Sequence, residues 1–301
     1  MVDIGIKPGV MSAFVTPFDE NGKVKVSAIK EIVDFQLERG LQGIYVCGST
    51  GEGMAMSEDE RMLVAEAVTK AVAGRAQVVV HVGATDTATA VRLAKHAASV
   101  GATGLSSVPP YYYKHHKVYV EDYYREVASA TNLPFLAYHV PVLGAGISFD
   151  SLLALMDIPN IVGMKYTEDN LEVLYKFKEK KPDCICFMGH DAMLLSALVL
   201  GANGGIGAFY NVMPQGFANV YKYFADGDLS AAMNEQLRID HYITLMKKYM
   251  LTANQIPIKA VLKSFGVDAG IPRKPVRQIE PDAYAALVSE LRKDGFYEIY
   301  K

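Results

Sequence analysis

Residues 43–83 read GIYVCGSTGEGMAMSEDERMLVAEAVTKAVAGRAQVVVHVG. Two short apolar, β-branched runs, GIYVCG (43–48) and AQVVVHVG (76–83), flank SEDERMLVAEAVTKAVAG (57–74), where apolar residues recur every three or four positions before a glycine. Those periods predict a strand, a helix and a second strand. The alternation continues in both directions. Further strand candidates are VMSAFVT (10–16), TGLSSV (103–108), PFLAYHV (134–140), NIVGMK (160–165), CICFMG (184–189) and NGGIGA (203–208). Helical segments such as VSAIKEIVDFQLERG and TATAVRLAKHAASVG stop at Gly40 and Gly101, as the one above stops at Gly74. Eight βα units in about 225 residues fit a closed (β/α)₈ TIM barrel better than an open doubly wound sheet. From residue 226 to 301 only helical patterns remain, among them LSAAMNEQLRIDHYITLMKKYM and PDAYAALVSELRKDG. The expected organisation is a barrel over 1–225 and a C-terminal helical extension over 226–301, packed on it because no low-complexity linker intervenes.

Composition narrows the function classes. The chain has 301 residues, half of them hydrophobic, enough for a large core. A net charge of -3 with interspersed signs disfavours nucleic acid as a partner. No run approaches the roughly 20 apolar residues of a membrane span, and MVDIGIKPG lacks an apolar signal core. Three cysteines, Cys47, Cys184 and Cys186, form no disulfide framework and have no second pair at metal-ligand spacing. A cytoplasmic protein without a metal is expected.

Chemistry in such barrels sits where strands end at the C-terminal face. Lys165 closes the sixth strand, after the apolar run NIVGM. An amine desolvated there can attack a ketone and form a Schiff base; the alternative is a lysine that snorkels to the rim. Tyr138, near the end of the fifth strand, is placed to shuttle protons for such an amine, or else is a core aromatic. The loop CGSTGEG (47–53) offers backbone N–H groups and the Ser49 and Thr50 hydroxyls to an anion the size of a carboxylate, or is simply a turn. It matches neither nucleotide-binding glycine pattern. Glu52 either orients this loop or caps the next helix. Pro109-Pro110-Tyr111-Tyr112-Tyr113 is too aromatic for an ordinary exposed loop, so its rings should pack on this chain or across a subunit contact. His115 and His116 lack partners at ligand spacing and receive no role.

These residues carry a resemblance to the N-acetylneuraminate lyase and dihydrodipicolinate synthase family of pyruvate-dependent class I aldolases. The matching pieces are FVTPFDENGKV (14–24), GSTGEG (48–53), VPPYYY (108–113), YHVP (138–141), GMK (163–165) and GANGGIG (201–207). The resemblance implies a (β/α)₈ barrel, usually a homotetramer, acting on pyruvate and other 2-keto acids without metal or organic cofactor. It implies that Lys165 is the Schiff-base lysine, Tyr138 the acid and base, Ser49 and Thr50 the carboxylate site, and Tyr112 part of a neighbouring subunit's proton relay. Synthases of the family follow the tyrosine with Asn-Val-Pro-Gly-Arg; here Tyr138-His139-Val140-Pro141-Val142-Leu143-Gly144 lacks the arginine, and an apolar residue cannot pair with a carboxylate. The lyase branch resembles this chain more closely, through the YHVPVLGAG loop, Thr167 and Gly189-His190-Asp191, and Gly207 of the GANGGIG run joins Thr167, Gly189 and Asp191 as a candidate substrate-binding residue. Ala192 and Ala208 stand where sialic acid lyases usually place glutamate and serine, which opens the alternative of another 2-keto-3-deoxy sugar acid, cleaved or dehydrated. A non-catalytic ligand-binding protein of the same fold is the reading from a different class.

Overall fold

The structure, a computed structural model, describes residues 5–300. Eight strands alternate with helices: β1 (Gly9–Ala13), α1 (Val26–Leu37), β2 (Gly43–Val46), α2 (Glu58–Val72), β3 (Gln77–His81), α3 (Thr87–Ser99), β4 (Gly104–Ser107) and α4 (Lys117–Ser129). They continue as β5 (Phe135–His139), α5 (Phe149–Leu155), β6 (Ile161–Tyr166), α6 (Leu171–Lys180), β7 (Ile185–Met188), α7 (Leu194–Val199), β8 (Gly204–Gly207) and α8 (Pro214–Ala225). The strands pair in sequence order, all parallel, and β8 closes on β1, with Gly207 opposite Ser12. The chain is a TIM barrel. Past it lie α9 (Leu229–Lys247), α10 (Gln255–Ser264), α11 (Pro281–Lys293) and α12 (Phe296–Ile299).

Strand alternation divides the core in two. Met11, Tyr45, Val79, Leu136, Tyr138, Ile185, Phe187 and Ile206 point inward and fill the barrel. Their neighbours, such as Val10, Ile44, Val78, Phe135 and Cys186, point outward into the layer shared with the helices. Both faces of every strand are buried, which is why the strands read as continuous apolar runs. The β8–β1 seam is held by Asn211: its Nδ2 donates to Ala13 O (2.8 Å) and Ala208 O (2.7 Å), and its Oδ1 accepts from Gln36 Nε2 (2.8 Å).

Helix ends follow local chemistry. Ser57 and Glu60 form a reciprocal capping box at α2. The expected glycine stop of α2 begins one residue early, because Ala73 already takes left-handed backbone (φ 50°) before Gly74. Short 3₁₀ turns follow β2, β5, β7 and β8 at 53–55, 141–143, 191–193 and 209–211, at the end where the candidate site residues gather. Helix α9 packs on α7 and α8, and Tyr242, Phe265, Phe296 and Tyr300 form one aromatic cluster joining α9, α10 and α12. Among the described residues no helix is long and apolar enough to cross a membrane.

Candidate active site

Lys165 is 4% exposed and points into the barrel. Simple alternation from Ile161, which faces the helices, would aim Lys165 outward as well. A bulge reverses the phase. Ile161 and Gly163 pair with the consecutive residues Phe135 and Leu136, so Val162 is the extra residue and packs against the inner cluster. Met164 then faces outward and Lys165 inward. Gly163 is required here, because a Cβ would lie 1.8 Å from the carbonyl oxygen of Ile185.

The Lys165 amine lies 4.2 Å from the ring centroid of Tyr45 and 4.3 Å from that of Tyr138. No carboxylate forms an ion pair with it among the described residues. An aromatic face at that range stabilises an ammonium group by about 0.5–2 kcal/mol, which offsets part of the cost of burying a charge there. Tyr138 and Lys165 are partners across the β5–β6 register, so both side chains emerge at one level on the inner face. Tyr45, Tyr138 and His81 contact one another at ring separations of 6.1–6.3 Å. Burial pushes the Tyr45 phenol well above its ordinary range, and it donates to Ser106 Oγ (3.0 Å). Burial, followed by the charges of Arg61 and Lys165, pushes His81 well below its ordinary value, and its Nε2 accepts the Val108 N–H (3.2 Å). Tyr45 was not singled out in the sequence; its inward parity within GIYVCG was the available signal.

The glycine-rich loop rises beside this group. Cys47 and Glu52 take left-handed backbone (φ 62° and 57°), and Gly53 admits no side chain, since a Cβ would lie 1.9 Å from Cys47 O. Glu52 N–H and Gly53 N–H bond back to Ser49 O and Gly48 O, and Thr16 Oγ1 donates to Gly51 O (2.6 Å). Among the described residues the amides of Ser49 and Thr50 find no hydrogen-bond acceptor, which leaves them available to an anion. Glu52 does not cap α2, whose cap is Ser57; it pairs with Lys259 instead.

A cavity of about 250 Å³ unites Ser49, Thr50, Tyr138, Lys165, Thr167, Gly189 and Asp191. Thr167 Oγ1 is sealed without a hydrogen-bond partner, and Gly189 leaves it room, because a Cβ there would lie 1.8 Å from that oxygen. Gly207 does the same for Asp191, whose Oδ1 would be 1.7 Å from a Cβ. Asp191 Oδ2 accepts the Phe209 N–H (3.3 Å), whereas Oδ1 is buried without a partner. Ala192 and Ala208 line the same wall, so neither departure is replaced by a polar group at its own position. The 140–147 loop closes one side with Val142 and Leu143, and His139 Nδ1 anchors it by accepting the Ile147 N–H (3.0 Å). Ile243, Lys247 and Asn254 join the lining from α9 and the turn after it, which nothing in the local sequence signalled.

Tyr112 stands outside this lining, 87% exposed with left-handed backbone (φ 83°) and its ring 4.9 Å from that of Tyr113. Of the three loop tyrosines only Tyr111 packs against the inner cluster. His116 caps α4, its Nδ1 accepting the Val118 N–H.

Burial pushes the Asp191 carboxyl up to about 7, against the hydrogen bond from Phe209 and the charge of Lys165. The folded state therefore binds this proton more tightly than the unfolded chain does. The group's stability contribution is retained below an unfolded value near 3.8 and lost as pH rises toward about 7. Asp191→Asn is expected to raise stability at pH 8 by on the order of a few kcal/mol, and the gain should shrink to nothing as pH falls toward about 4. Urea denaturation of both proteins across that range checks it; a gain independent of pH would contradict it.

Comparison with known proteins places this geometry. The model of the dihydrodipicolinate synthetase family matches residues 7–294. An N-acetylneuraminate lyase of Rhizobium meliloti (strain 1021) is 36% identical over 279 residues, covering 93% of this chain and 92% of that one. An Escherichia coli (strain SMS-3-5 / SECEC) N-acetylneuraminate lyase is 34% identical over 242 residues, 80% of this chain and 82% of its own. Among solved structures, CdNal from Clostridium difficile in complex with mannosamine superposes with a TM-score of 0.91 at 28% identity, covering 95% of this chain and 98% of that one. The Fusobacterium nucleatum N-acetylneuraminate lyase complexed with pyruvate gives 0.89 at 28% identity, covering 96% and 97%.

Proposed function

We propose that this chain, which belongs to the dihydrodipicolinate synthetase family, cleaves N-acetylneuraminate reversibly to pyruvate and N-acetylmannosamine through a Schiff base on Lys165. At the coarser level it is a carbon–carbon lyase, a pyruvate-dependent class I aldolase. The observation that carries the proposal is the buried Lys165 amine, against two phenol rings and in one cavity with Ser49 and Thr50.

In this reading the 2-keto acid carboxylate sits on the free amides and hydroxyls of Ser49 and Thr50. The Lys165 amine adds to the C2 ketone, Tyr138 gives a proton to the carbinolamine oxygen, and water leaves the protonated imine. Tyr138 then takes the proton from the C4 hydroxyl. The C3–C4 bond breaks, its electron pair flows into the imine, and the aldehyde departs. Protonation of the enamine at C3 and hydrolysis release pyruvate and restore the amine. Thr167 and Asp191, both in the cavity lining, are placed for the hydroxylated half of the substrate. Tyr112, left uncovered by its own chain, would reach a neighbouring subunit's site in a homotetramer.

Pyruvate release from N-acetylneuraminate at neutral pH, followed with lactate dehydrogenase, tests the substrate. Steady release is expected. Ala192 and Ala208 favour one rival, a shorter or less hydroxylated 2-keto-3-deoxy sugar acid; no release by protein that still traps pyruvate on Lys165 would select it.

A further inference from the structure

Glu52 is the one acidic residue of the glycine-rich loop, and the reaction above gives it no task. It is 8% exposed, and its two oxygens are engaged far from it in sequence: Oε1 accepts from Lys259 Nζ (2.8 Å) and Oε2 from the Arg273 N–H (2.7 Å). Lys259, 3% exposed on α10, also donates to Ile271 O (2.7 Å) and lies 4.9 Å from the Phe18 ring centroid. Arg273 adds a second tie through its guanidinium, which pairs with both Glu60 oxygens (2.6 and 2.7 Å) and donates to Ala55 O (2.8 Å). A third tie reaches the loop itself, where Gln255 Nε2 donates to Ser49 O (3.1 Å).

The three ties run from the C-terminal segment to the β2–α2 connection and the first turn of α2. A buried ion pair is costly to form but costs more to break, because removing one partner strands the other charge away from water. A loop stripped of Lys259 would relieve the stranded Glu52 carboxylate by moving it outward. Ser49 and Thr50, three and two positions earlier, would move with it.

We infer that Lys259 and Glu52 are a positioning pair, by which α10 holds Ser49 and Thr50 in the geometry that binds the 2-keto acid carboxylate. Neither residue lines the cavity. The inference rests on the function proposed above, in which that loop receives the carboxylate. It assigns α10, which contributes no residue to the cavity lining, a part in substrate affinity rather than only in stability.

Borohydride trapping of the full-length protein over a range of pyruvate concentrations, read by mass spectrometry, separates affinity from chemistry. Lys259→Met should raise the half-saturating pyruvate concentration about tenfold or more and leave the limiting trapping rate within about twofold of wild type. Glu52→Gln keeps the shape and should shift the same quantity; it decides the matter if Lys259→Met does not fold. The double variant should be no worse than the weaker single one, since both remove one interaction. Folded variants with a lower Tm but the wild-type half-saturation would overturn the positioning role and leave a structural brace. Wild-type protein that traps no pyruvate would overturn the Schiff-base reading, and the inference with it.

Discussion

Lys165→Ala is expected to lower aldol cleavage by on the order of 10⁴ to 10⁶, to the background of the assay. Among the described residues Lys247 is the one other lysine in the cavity lining. It enters from α9 rather than from a barrel strand, and Lys259, outside the lining, is committed to Glu52. The variant should remain folded. Lys165 is a buried amine with no ion-pair partner among the described residues, packed against two aromatic rings, and its removal relieves a desolvation cost. Loss of turnover together with an unchanged or higher Tm therefore marks a functional lysine, kept at the expense of stability. Near-normal turnover would end the Schiff-base account.

Tyr138→Phe should lower kcat by roughly 10² to 10⁴, the usual share of a positioned acid and base. The phenyl ring preserves the face toward Lys165 and the edge contacts to Tyr45 and His81, so binding and stability should change little. Only the proton carrier is deleted. Pyruvate should still be trapped on Lys165, more slowly, because carbinolamine dehydration also uses the phenol. A steady-state assay beside a trapping time course checks both parts; an unchanged kcat would assign proton transfer to another group.

Much of this architecture could be read from residue order. Strands buried on both faces give short apolar runs, and helices that cover them give three-to-four periodicity; two such signals repeated eight times leave few alternatives to a closed barrel. Lys165 and Tyr138 were visible as polar residues closing apolar strands. What aims Lys165 was not visible, because alternation counted from Ile161 gives the wrong face and the bulge at Val162 has no signature beyond Gly163. Tyr45 was hidden for a related reason, since an aromatic residue in a buried strand reads as core whether or not a cation lies on its face. Glu52 could not be assigned because its partners, Lys259 and Arg273, lie 207 and 221 residues downstream. Local pattern specifies elements; contacts between the first third of the chain and the last are written only in the fold.

The most direct measurement is the site of the adduct. Wild-type protein incubated with pyruvate and borohydride, digested and mapped by tandem mass spectrometry, should carry one reduced pyruvate adduct, on Lys165, in proportion to lost activity. Absence of an adduct, or an adduct on Lys247 or Lys259 with Lys165 unmodified, would contradict the account.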